Sequence, residues 1–341
     1  MKSLSLTALL ALFTIAALCQ TKIANGEQPQ LAVAKTGEIK IVFGKGDQIL
    51  YTVSKDQGNT FAEPVVIATV PQMHLGMTRG PQLAVSSDYS IVTAMDKMGN
   101  IHSFKLIHKT GKWEKVGILN DVDGSAPEGL MSISGDDKNN FYAVWLDLRE
   151  HRKNNICFAS FDGSKWSKNR FAYKSPESSV CECCKPSIAV EGNTVSIMFR
   201  NWLKGSRDLY LITSHDNGAS FSAAQKLGIG TWPLHGCPMD GGGLTIDSSD
   251  NQIRTAWQRD GVVYYAEPGK PEERLGEGRA VGMNGRIVSW EKGSDLFIKR
   301  IDEAEQKVGE GTALKIYEFG DNSTFAVWEN ADQIMVKKIK G

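Results

Sequence analysis

From residue 21 onward the chain alternates short apolar runs with turns rich in Gly, Asp and Asn, and no long helical period appears. One unit recurs along it. The unit opens on Gln-Leu-Ala-Val at 30–33 and again at 82–85, with related versions at Leu130-Met131-Ser132-Ile133, Ser187-Ile188-Ala189-Val190 and Leu244-Thr245-Ile246. A polar turn follows, then a second run that ends on an aromatic: Val42-Phe43, Val144-Trp145, Met198-Phe199, Ala256-Trp257, Ser289-Trp290 and Val327-Trp328. A third run comes next, as in Ile49 to Val53, Ile156 to Phe161, Leu209 to Thr213 and Val262 to Ala266, and complete units add a short fourth. Short runs rich in β-branched and aromatic residues, bounded by turn residues, are strands. Unit starts fall near residues 30, 82, 129, 186, 243, 279 and 313. Four strands per unit, one unit after another, predict an all-β propeller with seven repeat units, in a single domain over residues 20–341. The last two units are short, and merging them gives six blades as the alternative. The final unit has only three strands of its own, so Thr21 to Asn25 is expected to supply the fourth and close the ring.

Two turns between third and fourth strands carry the same pattern. They are Ser54-Lys55-Asp56-Gln57-Gly58-Asn59-Thr60-Phe61 and Ser214-His215-Asp216-Asn217-Gly218-Ala219-Ser220-Phe221. The Asp side chain is expected to accept from a backbone N–H two residues on, the Gly to take a positive φ, and the Phe to bury the turn. Worn copies appear at Phe161-Asp162-Gly163-Ser164-Lys165-Trp166 and Lys109-Thr110-Gly111-Lys112-Trp113. The pattern resembles the Asp-box of the sialidase-type β-propellers, whose fold has six blades. Such a turn lies on the face away from the loops that enter each inner strand. Asp56, Gly58, Phe61, Asp216, Gly218 and Phe221 are therefore expected to be structural.

The chain begins with Lys2, an apolar run from Leu4 to Leu18, and Cys19. Residues 1–19 are expected to be a secretory signal peptide, and the protein secreted or periplasmic. Lipidation of Cys19 is the alternative. No other apolar run is long enough to cross a bilayer. Lys plus Arg number 39 and Asp plus Glu number 39, a balance that gives no reason to expect a nucleic-acid partner. The oligomeric state stays open.

Propeller topology puts the loops between blades, and those between second and third strands, on one face, called here the upper face. The unusual residues gather there. Met73, His74, Met77 and Arg79 precede the second unit, and Glu128 precedes the third. Cys181, Glu182, Cys183 and Cys184 precede the fourth, and His235, Cys237, Met239 and Asp240 the fifth. Asp147 and Arg149 lie in a second-to-third-strand loop of the third unit, and Arg200, Asn201 and Arg207 in that of the fourth. A ring of charged, thiol and imidazole groups around an axis is the expected site for a glycan or other small polar ligand.

The cysteines admit two readings. Equivalent loops of neighbouring blades converge toward the axis, so Cys237 is expected near the Cys181–Cys183–Cys184 cluster and within reach of a disulfide. The same thiols, with His74, His235, Met73, Met77 and Met239, also suit copper or zinc. Cys157, in an alternating strand, reads as a buried small hydrophobe.

The Cys-x-Cys-Cys followed by Gly-Cys-Pro resembles a secreted subset of Asp-box proteins filed with exo-α-sialidases, closely over Val180 to Trp257. That resemblance implies arginines holding a substrate carboxylate, with Arg79, Arg149, Arg200 and Arg207 as candidates. Glu128 and Asp147, with Glu182 and Asp240, are the acid–base candidates by position. Asn201, His235 and Asp240 would line the ligand. A sialidase also uses a Tyr nucleophile, and Tyr264 and Tyr265 lie in the third strand of the fifth unit. The hydrolase or glycan-binding reading requires no cofactor. The alternatives are a copper- or zinc-binding or redox propeller without hydrolase activity, and an interaction module whose cysteines only staple loops.

Overall fold

The computed structural model describes residues 20–177 and 179–341. The expected signal peptide and Cys19 lie outside the described residues. Among the described residues, twenty-eight strands form seven antiparallel four-stranded sheets. Blades 1 to 6 span residues 27–69, 82–118, 131–173, 187–226, 243–277 and 279–310. Blade 7 takes three strands from 312–339 and its outer strand, Thr21–Asn25, from the other end of the chain. Thr21 pairs with Val336 and Asn25 with Gln333. The two chain ends thus close the ring through backbone hydrogen bonds. The six-blade alternative is excluded, because the sixth and seventh units each form their own sheet. Among the described residues no helix is long and apolar enough to cross a membrane.

Each inner strand touches the inner strands of both neighbours, from blade 1 round to blade 7 and back. The core lies between adjacent sheets. One cluster joins Val144, Ile156 and Phe158 of blade 3 to Ile197, Phe199 and Ile212 of blade 4, and another joins Ile39 and Phe43 of blade 1 to Phe325 and Val327 of blade 7. The aromatic that ends a second strand fills this gap: Trp145, Trp290 and Trp328 are among the largest fully buried side chains. Burying such a ring contributes about 2–3 kcal/mol through lost contact with water.

The repeated turns staple neighbouring blades from the lower face. In the first, the Asp56 carboxylate accepts from the Thr60 backbone N–H at 2.9 Å and from its hydroxyl at 2.6 Å. Ser54 Oγ accepts from the Gly58 N–H at 2.8 Å and donates to Asp56 at 2.8 Å. The N–H that Asp56 holds is four residues on, not two as the pattern suggested, because Ser54 takes the nearer donors. These bonds, Thr60's first, pull the Asp56 carboxyl down to about 2. Phe61 then packs on Phe325 of blade 7, with ring centroids 5.9 Å apart. Gly58 has a φ of 88°, and a Cβ there would stand 2.4 Å from the Phe325 ring, so both backbone and space require glycine. Blade 4 repeats the arrangement with Asp216, Ser220 and Phe221, which meets Phe158 of blade 3 at 5.2 Å. In the worn copies, Trp113 meets Tyr51 of blade 1 at 5.2 Å, and the Trp166 indole donates to Ser103 of blade 2 at 3.0 Å.

Candidate cysteine site on the upper face

Two segments build the site: 179–186, leading into blade 4, and 227–242, between blades 4 and 5. They are pressed together at Gly241. A Cβ on that residue would lie 1.9 Å from the Lys185 carbonyl, so only glycine permits the contact. Ser187 Oγ donates to the Gly242 carbonyl at 2.8 Å just beyond it. Arg200, only 1% exposed, ties the same region from behind. Its guanidinium donates to the carbonyls of Asp240 (3.1 Å), Arg207 (2.8 Å) and Gln258 (3.0 Å), and its own carbonyl accepts from the Cys181 N–H at 3.0 Å. Trp232 covers that guanidinium at 5.3 Å. Lys185 reaches across the axis to blade 2 and donates to Gln82 at 2.5 Å.

The four cysteines of these loops converge. Cys183 and Cys237 form a disulfide with Cα atoms 6.2 Å apart. Cys237 is exposed and Cys183 half-buried. Behind them lie the free thiols of Cys181 and Cys184, 0% and 1% exposed. Cys181 Sγ is 3.6 Å from Cys183 Sγ and 3.3 Å from Cys184 Sγ. By distance alone either thiol of the Cys181–Cys184 pair could donate. Arg207 decides it, since its guanidinium donates to Cys181 Sγ at 3.0 Å and favours the anion there. The Cys184 thiol, aided by Arg207, therefore holds the Cys181 pKa below the ordinary thiol value, while burial and the neighbouring Cys181 push Cys184 up. Cys157 is a free, fully buried thiol in the core of blade 3, and burial raises its pKa.

The other candidates divide by location. Arg207 and Asp240 join the cysteine site, Arg207 through Cys181 and Asp240 through its backbone. The Asp240 carboxylate is 2% exposed, accepts from the Ala280 N–H at 2.7 Å, and is raised by burial. His235 is exposed and stands 6.0 Å from Trp202, whose other neighbour is the Arg207 guanidinium at 4.6 Å. Asn201 is buried and donates to the Tyr173 hydroxyl at 2.9 Å. Asp147 is fully buried and accepts from Ser125, Trp145 and Arg149. Arg149 also bridges to Asp121 at 2.7 Å. Arg79 donates to the Glu128 carbonyl at 2.6 Å, and His74 contacts the Pro127 carbonyl at 3.0 Å, both tying the loop before blade 2 to the loop before blade 3. Met73 is in the core between blades 1 and 2, and Met77 is 65% exposed. Tyr264 stacks between Trp257 and Arg259, and Tyr265 hydrogen-bonds Glu267. Neither His74 nor His235 has a ligand atom in the three-thiol cluster. A concavity of about 460 Å³ at the edge of blades 2 and 3, lined by Ile118, Asp121, Trp166 and Lys168, includes the partner of Arg149 and none of the four cysteines. Sequence reading passed over Trp202, Trp232 and Gly241. The signal within reach was the Cys-x-x-Cys spacing of Cys181 and Cys184.

No protein-family model matches the chain, and no curated protein matches its sequence. Solved structures share its architecture. A lectin, BP39L, from Burkholderia pseudomallei superposes with a TM-score of 0.67 at 9% identity, covering 93% of this chain and 96% of the lectin. A PL25 ulvan lyase gives 0.57 at 10% identity, covering 94% and 96%. The Hadza microbial sialidase Hz136 gives 0.52 at 11% identity, covering 94% and 68%. At such identities the likeness is one of fold. The chain is a seven-bladed β-propeller, similar in fold to a lectin, a sialidase and a polysaccharide lyase.

Proposed function

We propose that this is a secreted propeller that works by thiol–disulfide exchange at the upper-face cysteines. One observation carries the reading: the free Cys181 sulfur is 3.6 Å from Cys183, half of a disulfide whose other half, Cys237, is exposed. The Cys181 thiolate attacks Cys183 Sγ. The Cys183–Cys237 bond breaks, and its electron pair and a proton go to Cys237. Cys184, 3.3 Å from Cys181, gives up its proton and attacks Cys181 Sγ, releasing Cys183 as a thiolate that is then protonated. The net change is a Cys181–Cys184 disulfide and a Cys183/Cys237 dithiol whose outer member, Cys237, is exposed. Two electrons move outward with no other reactant. The outer pair then exchanges with a thiol or disulfide on a partner.

The test is alkylation and peptide mass mapping of the full chain in a series of glutathione buffers, beside an insulin-reduction assay. The expected result is that an isomer with the Cys181–Cys184 bond and alkylated Cys237 appears, and that Cys184→Ser loses both that isomer and turnover. Finding Cys183–Cys237 as the sole disulfide in every buffer, with no turnover, would sink the reading.

A glycan ligand is the second reading. The half-buried Trp202, flanked by Arg207 at 4.6 Å and His235 at 6.0 Å, makes an aromatic and cationic platform of the kind that stacks on a sugar ring. Lectins with this fold agree with it. On a glycan array, Trp202→Ala should abolish binding seen for the wild type. An array on which the wild type binds nothing removes this reading.

A further inference from the structure

We propose that the same four cysteines, once reduced, bind one soft metal ion of the zinc(II) or copper(I) class. The inference rests on the cysteine site being the working site, and adds its ligand. In a tetrahedron with metal–sulfur bonds of about 2.3 Å, ligand sulfurs stand about 3.8 Å apart. Cys181 Sγ is 3.6 Å from Cys183 and 3.3 Å from Cys184, and all three sulfurs lie within 4.8 Å of one another. The fourth, Cys237, is held beside Cys183 by the disulfide and by the loop contact at Gly241, so reduction leaves it within reach. All four ligands are thiolates, which select soft d10 ions over calcium or magnesium.

The surroundings also fit. Four thiolates around a dication leave two negative charges. Arg207 donates to Cys181 Sγ at 3.0 Å, and Arg200 is fixed beneath the loops by three carbonyls. Two buried or half-buried guanidiniums offset that charge, and the N–H···S contact orients the sulfur. The Cys183–Cys237 disulfide makes the site conditional, since the oxidised form retains only two free thiols here.

The experiment titrates the full chain with zinc chloride, and separately with copper(I) supplied anaerobically against a chromophoric chelator. It is run on protein before and after reduction, with the reductant removed anaerobically before any metal is added. Expected are one equivalent bound by the reduced chain, thiolate-to-copper charge transfer in the ultraviolet, and little binding by the oxidised chain. Arg207→Ala, which keeps every ligand, should weaken binding roughly 10–100-fold. Cys184→Ser should weaken it at least as much, with circular dichroism verifying that the fold persists. The proposal is overturned if reduced wild type binds no more tightly than Cys184→Ser, or if oxidised and reduced chains bind alike. Metal binding without exchange would sink the exchange reading alone, and exchange without metal binding the metal proposal alone.

Discussion

Arg200→Ala is expected to destabilise the protein by about 3–5 kcal/mol in urea unfolding, while Arg207→Ala leaves the midpoint near wild type. Arg200 is 1% exposed and serves three carbonyls from three separate segments. Alanine leaves those acceptors buried and unpaired, at roughly 1–3 kcal/mol each before water enters. It also frees the loop that carries Cys237 from the loop that carries Cys181. Arg207 lies nearer the surface and holds Cys181 Sγ and the Leu234 carbonyl. Its loss should change the reactivity of Cys181, read as a slower reaction with a thiol-directed alkylating agent at neutral pH. The two arginines, equivalent by sequence position, would then separate into a structural tie and a site residue. An Arg200→Ala protein of unchanged stability that fails to bind a wild-type ligand would return Arg200 to the ligand.

Deleting Thr21–Asn25 is expected to cost on the order of 4 kcal/mol, and to lower the cooperativity of thermal unfolding. The strand pairs with Gln333–Ile339, and Ile23 and Ala24 pack on the cluster shared by blades 7 and 1. About four backbone pairings at roughly 1 kcal/mol each, with a partly buried Ile, set the scale. The deletion also bares the edge of Gln333–Ile339, a ready template for pairing with a second chain. Size-exclusion chromatography should show association. A monomeric deletion variant that melts like the full-length chain would mean that the core between blades, not the shared sheet, holds the ring shut.

Much of the architecture was legible because its causes are local. Period-two alternation, turn residues and the aromatic near the end of six of the seven second strands mark the strands at short range. The missing fourth strand of the last unit pointed to Thr21–Asn25 because a sheet with only three strands left an unpaired edge. The turns at 54–61 and 214–221 were readable for the same reason, since Ser, Asp and Gly bond within eight residues of one another. Their inter-blade role was not, because the partners Phe325 and Phe158 are remote in sequence.

The candidate site was legible only as a neighbourhood. Sequence position put Arg79, Arg149, Arg200 and Arg207, and the carboxylates Glu128 and Asp147, on one face. Nothing in their spacing could say that Asp147 is sealed under Trp145 and Arg149, or that Arg200 points inward to carbonyls. Those outcomes depend on rotamers and on loops from different blades. The sequence by itself determined a propeller of repeated β units, its closure by the two chain ends, and the meeting of Cys237 with the cluster of Cys181, Cys183 and Cys184, while the separate sheets of the last two units decided seven blades over six. Tertiary structure alone decided which cysteines bond, which stay thiols, and which guanidinium faces them. Local backbone preference and hydrophobic periodicity act over a few residues and are written in order along the chain. Sulfur-to-sulfur distances and buried charge pairs arise only when separate loops are pressed together, here through the contact of Gly241 with Lys185.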